Sequence, residues 1–206
     1  MAVIHRATLV PSKLELISSW LAGRPWGSGE GEVRRVGSYR FDDPAGEVGI
    51  EGFLVSRGRT VFHVLLTYRG APLVGGAPWL VGTMEHSVLG TRWVYDGVGD
   101  PVAVAALVRA ARGEQDQAAL EVHDGNAVTR LEPDVRVYPL DDGSASVNPA
   151  DAPGASPELI VDGPVAEVAF GDARLRVARV LGAELGGSRR LAAEWPDGEA
   201  TVVAVV

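Results

Sequence analysis

Only two stretches of this chain repeat apolar residues at helical spacing, and each begins with a capping signal. In the first, Ser12 and Glu15 form a capping box, in which each side chain satisfies a backbone N–H of the first turn, and Gly23 ends the helix. In the second, Asp100 is the predicted N-cap of a helix over residues 101–113. With so few helical segments, most of the chain has to be built from strands.

The other regular segments of the first half alternate apolar and polar residues with a period of about two, which is typical of strands. Residues 1–10 are predicted as one strand that leads into the first helix. Short polar turns separate the following runs, so an antiparallel meander is the simplest arrangement. The predicted strands of this region are 33–41, 48–55, 60–68, 80–83 and 92–95. The fold class of the first half is therefore α+β.

The second half contains only short β-rich runs. The polar stretch near residue 115 predicts a boundary between a first domain, 1–115, and a β-rich domain, 116–206. Residues 141–157 are rich in Asp, Gly, Ser, Ala and Pro, which predicts a long flexible loop. The run 201–206 is apolar on both faces and favours a covered strand. The predicted strands are 120–122, 127–131, 135–140, 158–161, 165–170, 174–181, 189–195 and 201–206.

Composition excludes several classes of function. The chain has 206 residues, no cysteine, and a net charge of −8 with 46% apolar residues. Thiol chemistry and Cys-ligated metals are therefore excluded, and an acidic protein does not favour nucleic acid or anionic membranes. No apolar run approaches the roughly 20 residues that span a bilayer, and no leader is recognised. We expect a cytoplasmic protein.

The sequence contains no complete catalytic motif. Its single lysine, Lys13, lies in the first turn of a helix and not in a phosphate-binding loop. The string His123-Asp124-Gly125-Asn126 is superficially similar to a kinase catalytic loop, in which an Asn follows a catalytic Asp. The spacing between Asp124 and Asn126 does not fit that loop, so a tight turn is the better interpretation. The four histidines are scattered without ligand spacing. We therefore predict no catalytic residue, no metal and no cofactor.

One group of polar and aromatic residues is a candidate ligand-binding site. An acid, a histidine and arginines on one sheet are able to bind a sugar or to carry out acid/base catalysis. The alternative is structural, with the acids acting as turn, cap and ion-pair residues. The candidates are Tyr68, Arg69, Glu85, His86, Arg92 and Asp96.

A second candidate lies at the end of the first helix, where Trp20 and Trp26 flank Arg24. An arginine between two indoles forms a cation–π clamp, which suggests a partner-binding surface. The alternative is that the two indoles close one edge of a small core.

The first half resembles the N-terminal cap domain of bacterial maltokinases and of trehalose synthase–maltokinase fusions. The resemblance covers residues 1 to about 112. It is carried by the strings Trp20-Leu-Ala-Gly-Arg24-Pro-Trp26, His63-Val-Leu-Leu-Thr-Tyr68-Arg69, Gly82-Thr83-Met84-Glu85-His86-Ser87-Val88-Leu89-Gly90, Val94-Tyr95-Asp96 and Asp100-Pro101. It implies an α+β, cystatin- or monellin-like fold, in which a helix packs on a curved antiparallel sheet.

The resemblance also implies a function. Because the family's catalytic residues lie in kinase lobes that have no match here, we expect a stand-alone, non-catalytic cap-like protein linked to maltose, trehalose or α-glucan metabolism. It would bind an enzyme of that metabolism or a carbohydrate. The alternative function is a small sugar-binding protein or acid/base enzyme that uses five of the candidate residues, Tyr68, Arg69, Glu85, His86 and Asp96. A homodimer through an exposed sheet edge is a further hypothesis.

Overall fold

The computed structural model describes residues 2–4, 8–124, 127–140, 156–171, 173–196, 198 and 200–206. These residues form two α-helices, α1 (Lys13–Ala22) and α2 (Pro101–Ala111). The strands are β1 (Ala2–Ile4), β2 (Leu9–Val10), β3 (Val33–Phe41), β4 (Gly49–Arg57), β5 (Thr60–Arg69), β6 (Leu80–His86), β7 (Gly90–Asp96), β8 (Leu120–Asp124), β9 (Ala127–Leu131), β10 (Arg136–Leu140), β11 (Glu158–Val161), β12 (Val165–Phe170), β13 (Ala173–Ala178), β14 (Arg190–Glu194) and β15 (Thr201–Val205).

Both predicted helix starts are confirmed. The Ser12 hydroxyl accepts a hydrogen bond from the Glu15 backbone N–H, and the Glu15 carboxylate accepts one from the Ser12 backbone N–H. Asp100 caps α2 by accepting a hydrogen bond from the Val102 N–H, with Pro101 as the first helical residue. Local side-chain capping therefore sets where each helix begins.

The N-terminal sheet is antiparallel and has the strand order β2-β6-β7-β5-β4-β3. The predicted meander of β3, β4 and β5 is confirmed. The two further predicted strands are also present, and β7, not β6, is the one that pairs with β5. The connection through the 3₁₀ turn Ala77–Trp79 carries the chain past the position of β7, so that β6 lies one strand further out.

The C-terminal sheet is also antiparallel and has the order β10-β14-β15-β13-β12-β11. β15 lies between β13 and β14, which confirms that the last apolar run is a covered strand. The predicted strand 174–181 is correct only as far as Ala178, because the following residues leave this sheet. The predicted loop 141–157 falls largely outside the described residues.

A third, small sheet has the order β1-β8-β9. The prediction of one strand over 1–10 is wrong, because β1 pairs in parallel with β8 whereas β2 pairs antiparallel with β6 in the N-terminal sheet. β8 and β9 pair antiparallel with Asp124 opposite Ala127. Of the predicted turn at Asp124-Gly125, Gly125 lies outside the described residues.

The two helices pack on different apolar clusters. Trp20 and Leu21 of α1 are buried together with Phe62 and Val64 of β5. Residues of α2 belong to a second cluster that both large sheets share: Ile50, Leu54 and Leu65 from the N-terminal sheet, Val104 and Leu107 from α2, and Val168, Leu175 and Val203 from the C-terminal sheet. The helix that follows the N-terminal sheet therefore also packs on the C-terminal one. The predicted domain boundary near residue 115 stays a prediction.

A second contact between the halves lies at a bulge in β3. The carboxylate of Asp134 accepts a hydrogen bond from the Ser38 backbone N–H at 2.9 Å and lies 2.5 Å from the Arg35 guanidinium. A Cβ at Gly37 would lie only 2.6 Å from a methyl group of Val135, so this position requires glycine for close packing.

No helix among the described residues is long and apolar enough to cross a membrane.

Candidate functional site

The two large sheets meet at an edge of β5. Leu181 donates its backbone N–H to the Val61 carbonyl at 2.9 Å, and His63 donates its backbone N–H to the Arg179 carbonyl at 3.0 Å. Between these bonds, Phe62 and Val180 form an antiparallel bridge. β7 pairs with β5 only from Leu66 onward, which leaves this edge free. Residues 179–181 therefore extend the N-terminal sheet in the manner of an added strand.

Arg179 is the central side chain of this contact. It is only 2% exposed, and its Nη2 lies 2.5 Å from Oδ2 of Asp96, which is 4% exposed. Its guanidinium also lies over two aromatic rings, 4.9 Å from the centroid of Trp26 and 5.4 Å from that of Trp20. Ion pairing and cation–π contacts together compensate for burying this charge.

Asp162 completes the cluster from the C-terminal half. Its Oδ1 accepts a hydrogen bond from Nε1 of Trp26 at 3.1 Å, and its carboxylate lies 3.5 Å from both Arg24 and Arg179. We call the group Trp20, Arg24, Trp26, Asp96, Asp162 and Arg179, together with the backbone of 179–181, the seam.

The predicted partner-binding residues Trp20, Arg24 and Trp26 thus lie together, with the two indoles edge to face at 5.4 Å. Arg24 stacks on Trp20 at 4.9 Å, but the guanidinium that contacts both indoles belongs to Arg179. In this structure, the residues that engage the trio are Asp162 and Arg179 of the same chain.

His63 and Tyr39 form a buried pair beside the seam. His63 Nδ1 lies 3.0 Å from the Ala178 carbonyl and therefore carries the proton, since a carbonyl only accepts; Nε2 then accepts from the Tyr39 hydroxyl at 2.8 Å. Burial lowers the pKa of His63 to about 4, although the hydrogen bond to Ala178 acts in the opposite direction and the charge of Arg179 adds to the lowering. Burial also raises the pKa of Tyr39. Both groups are neutral at pH 7, and the neutral imidazole of His63 links Tyr39 of the N-terminal half to the Ala178 carbonyl of the C-terminal half.

The six predicted ligand residues lie in separate environments. Asp96 belongs to the seam. Arg69 forms a two-pronged ion pair with Asp100, with both N···O distances 2.7 Å. Tyr68 lies under the ammonium group of Lys13, 5.1 Å from its ring centroid, and burial raises the pKa of its hydroxyl well above the usual value.

The remaining three predicted ligand residues lie at the β6–β7 hairpin. Glu85 accepts a hydrogen bond from the Thr91 hydroxyl, His86 accepts from two backbone N–H groups of the turn, and Arg92 donates to the Leu89 carbonyl. These contacts shape the hairpin itself. The contacts named above divide the six side chains into separate groups, and their use as one ligand site stays a prediction.

Sequence reasoning missed Arg179, Asp162 and His63. One signal was present for Arg179: Leu175 and Val177 are buried at alternate positions of β13, and the same alternation places residue 179 on the inward face. An arginine at an inward position requires a buried partner. The partner itself, Asp96, lies 83 residues away in sequence, and no local pattern identifies it.

Among the described residues, no three His, Asp or Glu side chains are grouped closely enough to hold a metal ion.

The fold defines an α+β unit, a helix on an antiparallel sheet, joined to a second antiparallel sheet. Within it, residues 20–100 match the family model described as the maltokinase N-terminal cap domain. This part of the chain is therefore similar to that cap domain, which confirms the resemblance over those residues; the match covers about two-fifths of the chain. Searches of curated proteins and of solved structures found no match.

Proposed function

We propose that this chain is a non-catalytic binding or regulatory protein of maltose, trehalose or α-glucan metabolism. The observation that carries the proposal is the match of residues 20–100 to the maltokinase N-terminal cap domain. That description names a cap of the kinase, not its catalytic part. The proposed binding partner is an enzyme of this metabolism or a carbohydrate, and the proposed location is the cytoplasm.

The environment of Lys13 supports a role without ATP chemistry. Lys13 is ion-paired with Glu51 and lies over the rings of Phe53 and Tyr68, at 5.6 and 5.1 Å from their centroids. Nucleotide-binding loops commonly use a lysine to hold phosphate groups, whereas the ammonium group of Lys13 is engaged by a carboxylate. Beyond α2, the described residues that have regular structure form strands.

We also propose that the N-terminal unit is cystatin- or monellin-like. The support is the sequence of elements, in which α1 precedes an antiparallel sheet and packs on one of its faces. This analogy concerns architecture only and assigns no activity.

A phosphotransfer assay tests the non-catalytic part of the proposal. The purified full chain is incubated with ATP and maltose, with a maltokinase as positive control, and phosphorylated sugar is quantified. We expect none above the level of a reaction without protein. Turnover that follows the protein through successive purification steps would contradict the proposal.

A binding assay tests the other part. Immobilised full chain is presented with purified maltokinase, trehalose synthase and glucan-branching enzyme, and calorimetry measures maltose and trehalose binding. We expect saturable binding of at least one of these. The absence of binding to every enzyme and sugar tested would leave the proposal without support and would count against it.

A further inference from the structure

A cleft of about 380 Å³ opens next to the seam, where β5 meets the C-terminal sheet. Its lining includes Arg59, Thr60, Leu181, Gly182, Trp195 and Thr201. This volume is in the range of about 300 to 1,000 Å³ that small-molecule sites occupy, and such sites form preferentially where two structural units meet.

The indole of Trp195 lines one side of the cleft, and its contacts hold the ring in place. The indole is half-buried and packs against the apolar cluster that the two sheets share. It also lies directly against the backbone at Gly198, where a Cβ would be 1.8 Å from Cε2 of the ring. A ring held in this way loses little conformational freedom when a ligand stacks on it.

The polar side chains that line the cleft are those of Arg59, Thr60 and Thr201. Arg59 is exposed and has no ion-pair or hydrogen-bond partner among the described residues, so its guanidinium donors are available. Thr60 contributes a hydroxyl group, which both donates and accepts. At Gly182, φ is +87° and no atom lies within 4 Å of a Cβ position, so the cleft stays open there.

We propose that this cleft binds a neutral disaccharide, with one sugar ring stacked on Trp195 and its hydroxyl groups bound by Arg59 and Thr60. The apolar face of a sugar ring fits an indole, and its hydroxyl edge fits a guanidinium donor beside a hydroxyl group. The inference rests on the proposed function and deepens it, since it names a site and a ligand class for the carbohydrate partner.

The test uses the indole N–H signals of the full chain in ¹⁵N–¹H NMR spectra. The chain has five tryptophans, and the Trp195→Phe variant assigns the Trp195 signal by its disappearance. Maltose and trehalose are titrated separately to about 10 mM, because weak sugar sites have Kd values near 1 mM. We expect the Trp195 signal to shift in a saturable way with at least one disaccharide.

Arg59→Ala is the decisive variant, because Arg59 is exposed and its removal leaves the core intact. We expect Kd to rise about tenfold or more, the effect of losing hydrogen bonds to a charged donor. Arg34→Ala, which removes an exposed arginine from β3, is the matched control and should leave Kd unchanged.

Two results would overturn the inference. In the first, the Trp195 signal stays unshifted by both sugars, or shifts equally in the wild type and in Arg59→Ala. In the second, only the signals of Trp79 or Trp93 shift; the carbohydrate part of the proposed function would then stand while this site would be wrong. Failure of the proposed function itself is read separately, from turnover in the phosphotransfer assay.

Discussion

Two arginine–aspartate pairs flank the short 3₁₀ turn Gly97–Gly99, and they connect different parts of the molecule. Arg69 and Asp100 join β5 to the start of α2, within the same half of the chain. Arg179 and Asp96 join the C-terminal half to the end of β7. The residues of the first pair are 31 apart in sequence, and those of the second are 83 apart.

The surroundings of the two pairs differ as well. Asp100 is fully buried and accepts further hydrogen bonds from the Thr67 hydroxyl and the Val102 N–H, while the Arg69 side chain stays 18% exposed. In the second pair both side chains are almost fully buried. Removing one partner of such a pair leaves an uncompensated charge in the interior. The comparison predicts that removing one partner from the Arg179–Asp96 pair destabilises the protein more than removing one from the Arg69–Asp100 pair. It also predicts that loss of the Arg179–Asp96 pair weakens the contact between the halves.

Arg179→Leu is expected to have the largest effect. It leaves the Asp96 carboxylate buried without its partner, and we expect the free energy of unfolding to fall by about 3 to 5 kcal/mol, measured by urea denaturation. Hydrogen exchange should increase at the edge of β5, where the His63 N–H is bonded to the backbone of residue 179.

The matched control is the double variant Asp96→Asn with Arg179→Leu. Without the buried carboxylate, it should recover much of the lost stability, since replacing both members of a buried pair is often close to neutral. If the single and double variants are equally unstable, the charge pair is not the source of the effect.

The pH dependence of stability tests the neutral hydrogen bond beside the same pair. The pKa of His63 is about 4 in the folded protein and 6.5 in its ordinary state, so between these values the unfolded chain binds more protons. The free energy of unfolding therefore falls as the pH drops from 6.5 towards 4. The contribution of His63 to this decrease is about 3 kcal/mol in total.

Urea denaturation across this pH range measures the effect, and His63→Gln should remove this part of the slope. An unchanged slope in His63→Gln would contradict the assignment.

Asp100→Ala is expected to have the smallest effect of the three and to stay local. It removes the cap of α2 and the partner of Arg69, which together should lower the free energy of unfolding by about 2 kcal/mol. Hydrogen exchange should increase in the first turn of α2 and remain unchanged at the seam. Increased exchange at the β5 edge would show that the two pairs act as one unit.

The features that the sequence predicts well are those that neighbouring residues determine. Ser12 with Glu15, and Asp100 with Pro101, mark both helix starts because the capping groups lie within three residues of each other. Alternation predicts most strands with their limits, including Val33–Phe41 and Val165–Phe170, because a sheet with one buried face requires that period.

Features that depend on distant residues were not predicted. Alternation does not specify a strand's neighbour, so it missed both the insertion of β7 beside β5 and the division of residues 1–10 between two sheets. The candidate site depends on the same information. The sequence predicts a cation–π clamp formed by Arg24 between Trp20 and Trp26, but the guanidinium that contacts both indoles is that of Arg179, from the other half.

Unfolding of the wild-type full chain followed separately in each half tests the central claim that the seam joins the halves into one unit. The indole NMR signals of Trp20 and Trp26 report on the N-terminal half, and that of Trp195 reports on the C-terminal half. We predict that all three are lost at the same urea concentration, as in a single cooperative transition. Loss of the Trp195 signal at a clearly different urea concentration from the other two would contradict the account.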